Sequence, residues 1–248
     1  MSRGLKGFLT FCALLALVAG GIAIYLGPHK LAFIFHKQRS VLPFVMLDLV
    51  KFRDAAARED FRNGFQQPLR ALYDGYGAEI LYTGTTTRVD QGNSRDEWQL
   101  LEFVEWPSRA AFIELVTSPE YTELARVREA ETSQRAWIAA SPKAELKLTP
   151  NGAYALRLLS FENAAARRDF LSRTDQATAG DTHIGVSAAQ LNTLEAPEDQ
   201  QWQYLQVYSF PDTRTRELWL NDEVRKTQWS LQRKFFERDV LLSIDWFE

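Results

Sequence analysis

The sequence predicts an α+β protein: an N-terminal transmembrane helix, then two tandem β-α-β-β-α-β units packed sheet to sheet as a pseudo-dimeric α+β barrel. Three observations carry this reading. The N-terminus is an uncharged apolar run, the remainder contains an internal repeat, and strand-like and helix-like segments recur in the same order in both copies. Charged residues make up 25% and hydrophobic ones 46% of the 248 residues, a globular balance long enough for two small domains. The net charge of -3 lacks the clustered basic surface that nucleic acid requires, so no nucleic-acid partner is expected.

From Gly7 to Gly27 no side chain is charged, and about 20 such residues span a bilayer core as a helix. Arg3 and Lys6 precede the run; Pro28, His29 and Lys30 end it. Residues 1–28 are therefore expected to be a membrane anchor, or a cleaved signal segment with Gly21-Ile22-Ala23 as its processing site. Residues 29–43 follow as a juxtamembrane linker. The expected location is single-pass in a membrane, with the lipid bilayer as partner and the folded part exported. The sole cysteine, Cys12, lies in the apolar run, which leaves the folded part without a disulfide or thiolate metal site.

The repeat is read by laying Val45–Arg62 against Tyr154–Leu171, where nine of eighteen positions are identical. Trp98-Gln99 then matches Trp202-Gln203, and Pro107 matches Pro211, at an offset of 104 instead of 109. The expected domains are 44–148 and 149–248. In the first, Phe44–Phe52 reads as a strand, and Asp54 as the N-cap of an amphipathic helix that runs toward Tyr76 and closes at Gly77. Ile80–Val89 and Trp98–Trp106 read as strands joined across Gln91–Ser94; a helical region to about Glu131 and a strand at Arg135–Ala140 complete the unit. This order is the ferredoxin-like split βαβ. Its open sheet face must be covered, and two copies can cover each other.

Several segments carry a resemblance. Val50-Lys51-Phe52, Tyr76-Gly77-Ala78, Trp98, Glu105-Trp106-Pro107-Ser108, Ser118-Pro119-Glu120-Tyr121 and Arg128 resemble the bacterial family called domain of unknown function 1330. The resemblance covers roughly residues 44–140 and implies a dimeric α+β barrel. That group includes cofactor-free monooxygenases, isomerases and haem proteins, so it implies a kind of pocket and no particular reaction. The second copy has Asp222-Glu223-Val224-Arg225 where the first has Ser-Pro-Glu-Tyr, and Gln232 opposite Arg128. Both versions suit a helix start, with a side-chain cap and an acid in the first turn.

Side chains alternate along strands, so Asp48 shares a face with Met46 and Val50, and its repeat partner is Arg157. Trp98, Leu100, Glu102, Val104 and Trp106 share a face in the third strand; the second copy places Trp202, Tyr204, Gln206, Tyr208 and Phe210 there. This aromatic-polar face is expected to line the interior between the copies, with Leu101, Phe103, Leu205 and Val207 under the helices. Asp48 and Arg157 then meet in one cavity with Glu102 and Gln206 nearby, either as an ion pair fixing the packing or as a ligand site. His183 is the one histidine of the folded part and is assigned to the barrel rim. No metal site and no cofactor are expected.

Two functions fit. One is a membrane-anchored barrel binding a small apolar or aromatic molecule between its repeats and acting on it without a cofactor. There Asp48 or Glu102 is the base, Arg157 holds developing charge, and Trp98, Trp106, Trp202, Tyr204, Gln206, Tyr208 and His183 line the site. The alternative is a non-enzymatic structural or partner-binding module whose interior is packed.

Overall fold

The computed structural model describes residues 42–142, 146, 148–149, 152–177, 185–197 and 200–246. The first repeat runs β1 (Phe44–Phe52), α1 (Ala55–Phe61), a π-helical turn (Arg62–Gln66), α2 (Gln67–Tyr76), β2 (Glu79–Gln91), β3 (Leu100–Trp106), α3 (Arg109–Val116), α4 (Pro119–Glu131) and β4 (Thr132–Pro142). The second runs β5 (Ala153–Phe161), α5 (Ala164–Ala177), β6 (Gly185–Glu195), β7 (Tyr204–Phe210), α6 (Thr213–Leu220), α7 (Glu223–Gln232) and β8 (Phe236–Trp246).

Local chemistry sets these boundaries. Asp54 accepts the Ala57 N–H at 2.9 Å and starts α1, while Gly77 ends α2 in the left-handed region at φ 67°, where a side chain is strained. Ser118 accepts the Tyr121 N–H at 3.1 Å with Pro119 in the first helical position, and Asp222 accepts the Arg225 N–H at 2.8 Å in the second copy. The Ser-Pro-Glu element is thus a helix start whose cap survives a change of residue. The recurring Trp-Gln dipeptide also has a backbone role. Gln99 Oε1 accepts the Phe52 N–H at 2.6 Å, and Gln203 Oε1 accepts that of Phe161 at 3.4 Å. Thr86 and Thr193 hydroxyls accept the N–H groups of Trp98 and Trp202, each at 3.1 Å.

The eight strands close into one antiparallel barrel in the order β1-β3-β2-β8-β5-β7-β6-β4. Each repeat contributes four consecutive strands, and the halves join edge to edge through the β2–β8 and β4–β6 ladders. The expected architecture is corrected on two points. The copies are not separate sheets facing each other; their edges hydrogen-bond into one closed sheet, which leaves no strand edge open. The transmembrane helix is not part of the structure seen. Its expected span lies outside the described residues, and no helix among those described is long and apolar enough to cross a membrane.

The barrel interior is apolar and filled by both repeats. Val45, Leu47, Leu49, Leu101 and Phe103 meet Leu156, Leu158, Leu205, Leu242 and Ile244 in one buried cluster. The alternate residues face outward beneath the helices: Met46, Val50, Leu100, Val104 and Trp106 pack on Phe61, Phe65, Leu69, Phe112 and Tyr121. The expected assignment of faces is thus reversed along β3 and β7, while Trp98 and Trp202, which precede those strands, lie in the barrel cluster as expected. An eight-stranded barrel is just wide enough for side chains to fill, and the aliphatic residues that fill this one leave no solvation for a charge. The covered outer face can hold charge because polar helix side chains reach it.

Candidate functional site

The groove between the sheet and the helices of the first repeat gathers the polar groups. Asp48, from β1, receives two hydrogen bonds from Arg135 of β4, Nε at 2.7 Å and Nη2 at 2.6 Å. The guanidinium carbon lies 4.2 Å from the Trp137 ring centroid, and that ring stacks on Tyr121. Burial alone lowers the Arg135 pKa, but the charge and hydrogen bonds of Asp48 exceed it and raise the value overall.

Glu102, from β3, lies beside this pair and is 6% exposed. Its Oε1 accepts from Arg70 Nη2 at 2.6 Å, Gln66 Nε2 at 3.2 Å and Thr83 Oγ1 at 3.2 Å. None of these three bonds uses Oε2. Gln66 ends the π-helical turn, and turns of this type recur at functional positions because they displace side chains from the regular helical stripe. Tyr73, one further element along, is held protonated: burial first, then the charges of Glu102 and Asp48, pushes its phenol well above the ordinary value.

These groups enclose a cavity of about 20 Å³ lined by Asp48, Tyr73, Glu102, Trp106, Tyr121 and Arg135 among apolar neighbours. That is room for one water-sized occupant. Arg135 Nη1 and Trp106 Nε1 are buried donors without a partner among the described residues, and both residues line this cavity. Two orphaned donors beside a polar cavity call for an acceptor atom there.

The second repeat repeats the ion pair with its signs exchanged. Arg157 of β5 donates to Asp239 of β8 at 2.8 and 2.6 Å, and its third nitrogen donates to Gln232 at 2.9 Å. Burial lowers the Arg157 pKa, and Asp239 outweighs it to leave the value raised. Asp48 and Arg157 are therefore not brought together: each pairs within its own repeat. Gln206 stands where Glu102 does and accepts from the Tyr208 hydroxyl at 3.0 Å.

The other expected site residues scatter. Trp98 and Trp202 are buried in the barrel cluster and Trp106 under the first repeat's helices. Tyr204 packs with Phe161 and Phe170, and Tyr208 with Trp219. His183 lies outside the described residues. Among those described, no group of three or more His, Cys, Asp or Glu could hold a metal ion. Sequence reasoning missed Arg135 and Asp239. The signal was present: they stand at the 104-residue offset with opposite charges, mirroring the exchange between Asp48 and Arg157.

Comparison with known proteins agrees with this architecture. No curated protein matches the sequence. An anthrone oxidase-like protein superposes with TM-score 0.54 at 12% identity, over 82% of this chain and 91% of that one. A candidate monooxygenase from Fusobacterium nucleatum subsp. nucleatum gives TM-score 0.50 at 9% identity, over 84% and 94%. A protein of unknown function from Rhodopseudomonas palustris is 23% identical with TM-score 0.42, over 48% of this chain and 98% of that one. At these identities the likeness shows the fold alone, that of the ferredoxin-like dimeric α+β barrels. Residues 44–141 match the family described as Domain of unknown function (DUF1330), so the resemblance carried by the motifs of the first repeat holds across that whole repeat.

Proposed function

We propose that the first repeat binds a small, mainly aromatic molecule at the groove between its helices and sheet, that the ligand's acceptor oxygen enters the water-sized inner cavity while its ring is admitted only if the groove widens, and that a proton is transferred to or from it without a bound cofactor. The observation that carries this is the cavity in which Arg135 Nη1 and Trp106 Nε1 have no partner among the described residues, beside the Glu102 carboxylate. An acceptor oxygen on the ligand, a carbonyl or phenol, satisfies the two donors. Glu102 Oε2 then takes the proton while Arg135 holds the charge left behind on the ligand. In this reading the base role expected of Asp48 or Glu102 rests with Glu102. Asp48 positions Arg135, which takes the role expected of Arg157. Structures named as an anthrone oxidase-like protein and a candidate monooxygenase share the barrel, which is consistent with small aromatic ligands on this fold.

The test is native mass spectrometry of the full chain purified under gentle conditions. A small-molecule adduct is expected, lost in Arg135→Met and Glu102→Gln but kept in Arg157→Met. An adduct lost only in Arg157→Met, or none in any preparation, refutes the assignment. A second reading, a partner-binding module, draws on the filled barrel and on Leu218, Val224 and Leu231, which stand exposed on α6 and α7. Absence of any adduct together with co-purification of a protein lost in Leu231→Glu would favour it.

A further inference from the structure

Tyr121, in the first turn of α4, lines the inner cavity and is 6% exposed. Its ring lies parallel to that of Trp137, the same ring that the Arg135 guanidinium covers. The Tyr121 hydroxyl accepts from Arg128 Nη1 at 2.6 Å, its one hydrogen-bond partner among the described residues. A guanidinium carries donors and no acceptor, so this bond leaves the hydroxyl's own proton unused. Burial lowers the Arg135 pKa while Asp48 and then Tyr121 raise it, so the phenol oxygen stands near the guanidinium. Tyr121 also acts on Tyr73, after burial, Glu102 and Asp48. The second repeat keeps none of these parts. At the 104-residue offset Arg225 stands for Tyr121, Gln232 for Arg128, Phe210 for Trp106 and Gln206 for Glu102.

We propose, resting on the function above, that Tyr121 is a catalytic residue whose O–H joins Arg135 Nη1 and Trp106 Nε1 as a third donor to the ligand's oxygen, and that the ligand is a phenol ionised in place. The size of the cavity selects a phenol over a ketone. About 20 Å³ admits a single heavy atom. A ketone would need two atoms inside, its oxygen at the donors and its α-carbon at Glu102. A phenol carries its acceptor and its acidic proton on one oxygen. The number of donors fits the anion. A neutral hydroxyl or carbonyl oxygen offers two lone pairs and an oxyanion three, so the third donor is engaged only as charge develops. In the step itself the ligand's O–H bond breaks, its electron pair stays on the ligand oxygen, and the proton passes to Glu102 Oε2. One negative charge moves from carboxylate to ligand, and the net charge of the site is unchanged. The ligand arrives neutral, so Asp48 and Glu102 do not repel it.

The experiment follows the absorbance of 4-nitrophenol, whose phenolate absorbs to the red of its neutral form, on titration with the full chain at a pH where the free probe is neutral. The wild type is expected to bind it with the phenolate band present. Tyr121→Phe keeps the ring on Trp137 and removes one donor to a charged oxygen, so it is expected to weaken binding by about 10- to 100-fold and to diminish the band. That variant also strips Arg128 of its acceptor, so two further variants separate the hydroxyl from the packing. Arg128→Met, which leaves the hydroxyl in place, is expected to keep the band; Tyr121→Phe with Arg128→Met, which leaves no donor orphaned, is expected to lose it. Urea unfolding of each variant confirms that the titrated chain is folded. Equal affinity and an undiminished band in Tyr121→Phe overturn the role of Tyr121, as does a band lost equally in Arg128→Met, and both leave the inner-cavity reading standing. A probe bound in its neutral form overturns the ionisation. Failure of the wild type to bind overturns the phenol, and the native-mass adduct then judges the inner cavity separately.

Discussion

The exchanged ion pairs make a sharp prediction about who partners whom. Asp48 and Arg157 occupy equivalent places in the two repeats, and sequence alone suggests that they meet. The structure pairs Asp48 with Arg135 and Arg157 with Asp239. In the first pair the side chains are 15% and 6% exposed, so neither charge is well solvated. Breaking a buried pair by removing one partner costs about 3–5 kcal/mol, because the other charge remains uncompensated. Asp48→Arg adds repulsion from Arg135 and belongs at or above the upper end of that range. At a urea slope of about 2 kcal/mol/M, a loss of about 4 kcal/mol lowers the unfolding midpoint by about 2 M.

Rescue is the informative half. The double exchange Asp48→Arg with Arg135→Asp gives the first repeat the arrangement that the second already holds, and is expected to recover most of the loss. Recovery stops short for a reason visible in the second repeat. Arg157 Nη1 donates to Gln232, whose counterpart in the first repeat is Arg128. The arginine introduced at position 48 would face a cation there, so adding Arg128→Gln is expected to complete the rescue. Asp48→Arg with Arg157→Asp is expected to be additive to within about 0.5 kcal/mol, since the two sites share no partner. Urea midpoints of these variants and of the parent chain, with unchanged slopes, decide it. Coupling between positions 48 and 157, or no gain from the 48/135 exchange, refutes the pairing.

Four further outcomes follow from the same structure. Tyr73 and Tyr208 are held above the ordinary phenol value of 10.0 chiefly by burial, so the folded chain keeps protons that the unfolded chain releases; their stabilising contribution is present below pH 10 and lost as pH rises past it. Urea midpoints should fall between pH 9 and about 11, and Tyr73→Phe should flatten the slope; an unchanged slope refutes the assignment. The reversed faces predict that Leu101→Ala, in the barrel, costs about 2–5 kcal/mol by calorimetry, and that Leu101→Asp does not fold, whereas Glu102→Leu does. At Gly84 an added Cβ would lie 2.5 Å from the Tyr82 ring and 2.6 Å from the Asp245 carbonyl oxygen, so Gly84→Ala should cost about 1–3 kcal/mol. Tyr82→Phe should be neutral or stabilising, because its buried hydroxyl has no partner among the described residues.

The fold was legible in the sequence where local chemistry repeats. Asp54, Gly77 and Ser118 mark helix ends by side-chain or backbone needs that act within a few residues, and each does so in the structure. The duplicated Trp-Gln dipeptide announced a shared strand register. Period-two alternation likewise sorted Asp48 with Met46 and Val50 correctly. What alternation cannot say is which face turns inward. Asp48, Glu102 and Arg157 among aromatics read as a cavity lining, yet the fully aliphatic series Val45, Leu47 and Leu49 is the one a closed barrel needs inside. The ion partners were hidden for a related reason. Arg135 and Asp239 sit on the last strand of each repeat, more than 80 residues from the groups they bind, and no local period reaches that far.

The difference between the repeats argues for where function resides. Both bury a guanidinium against a carboxylate at the same place, so the pair itself is a requirement of the architecture. In the second repeat the arginine is complete: Nε and Nη2 hold Asp239 and Nη1 holds Gln232. The residue opposite is the neutral Gln206, already engaged by Tyr208. In the first repeat the counterpart of Gln232 is Arg128, which carries no acceptor and donates to the Tyr121 hydroxyl at 2.6 Å; Arg135 Nη1 has no partner among the described residues, and an acid stands at 102 with one oxygen outside its three bonds. An unpaired buried donor destabilises the fold by about 1–3 kcal/mol. In the first repeat that donor stands beside a carboxylate and a cavity, and this arrangement, absent around Arg157, is the one on which the proposed site rests.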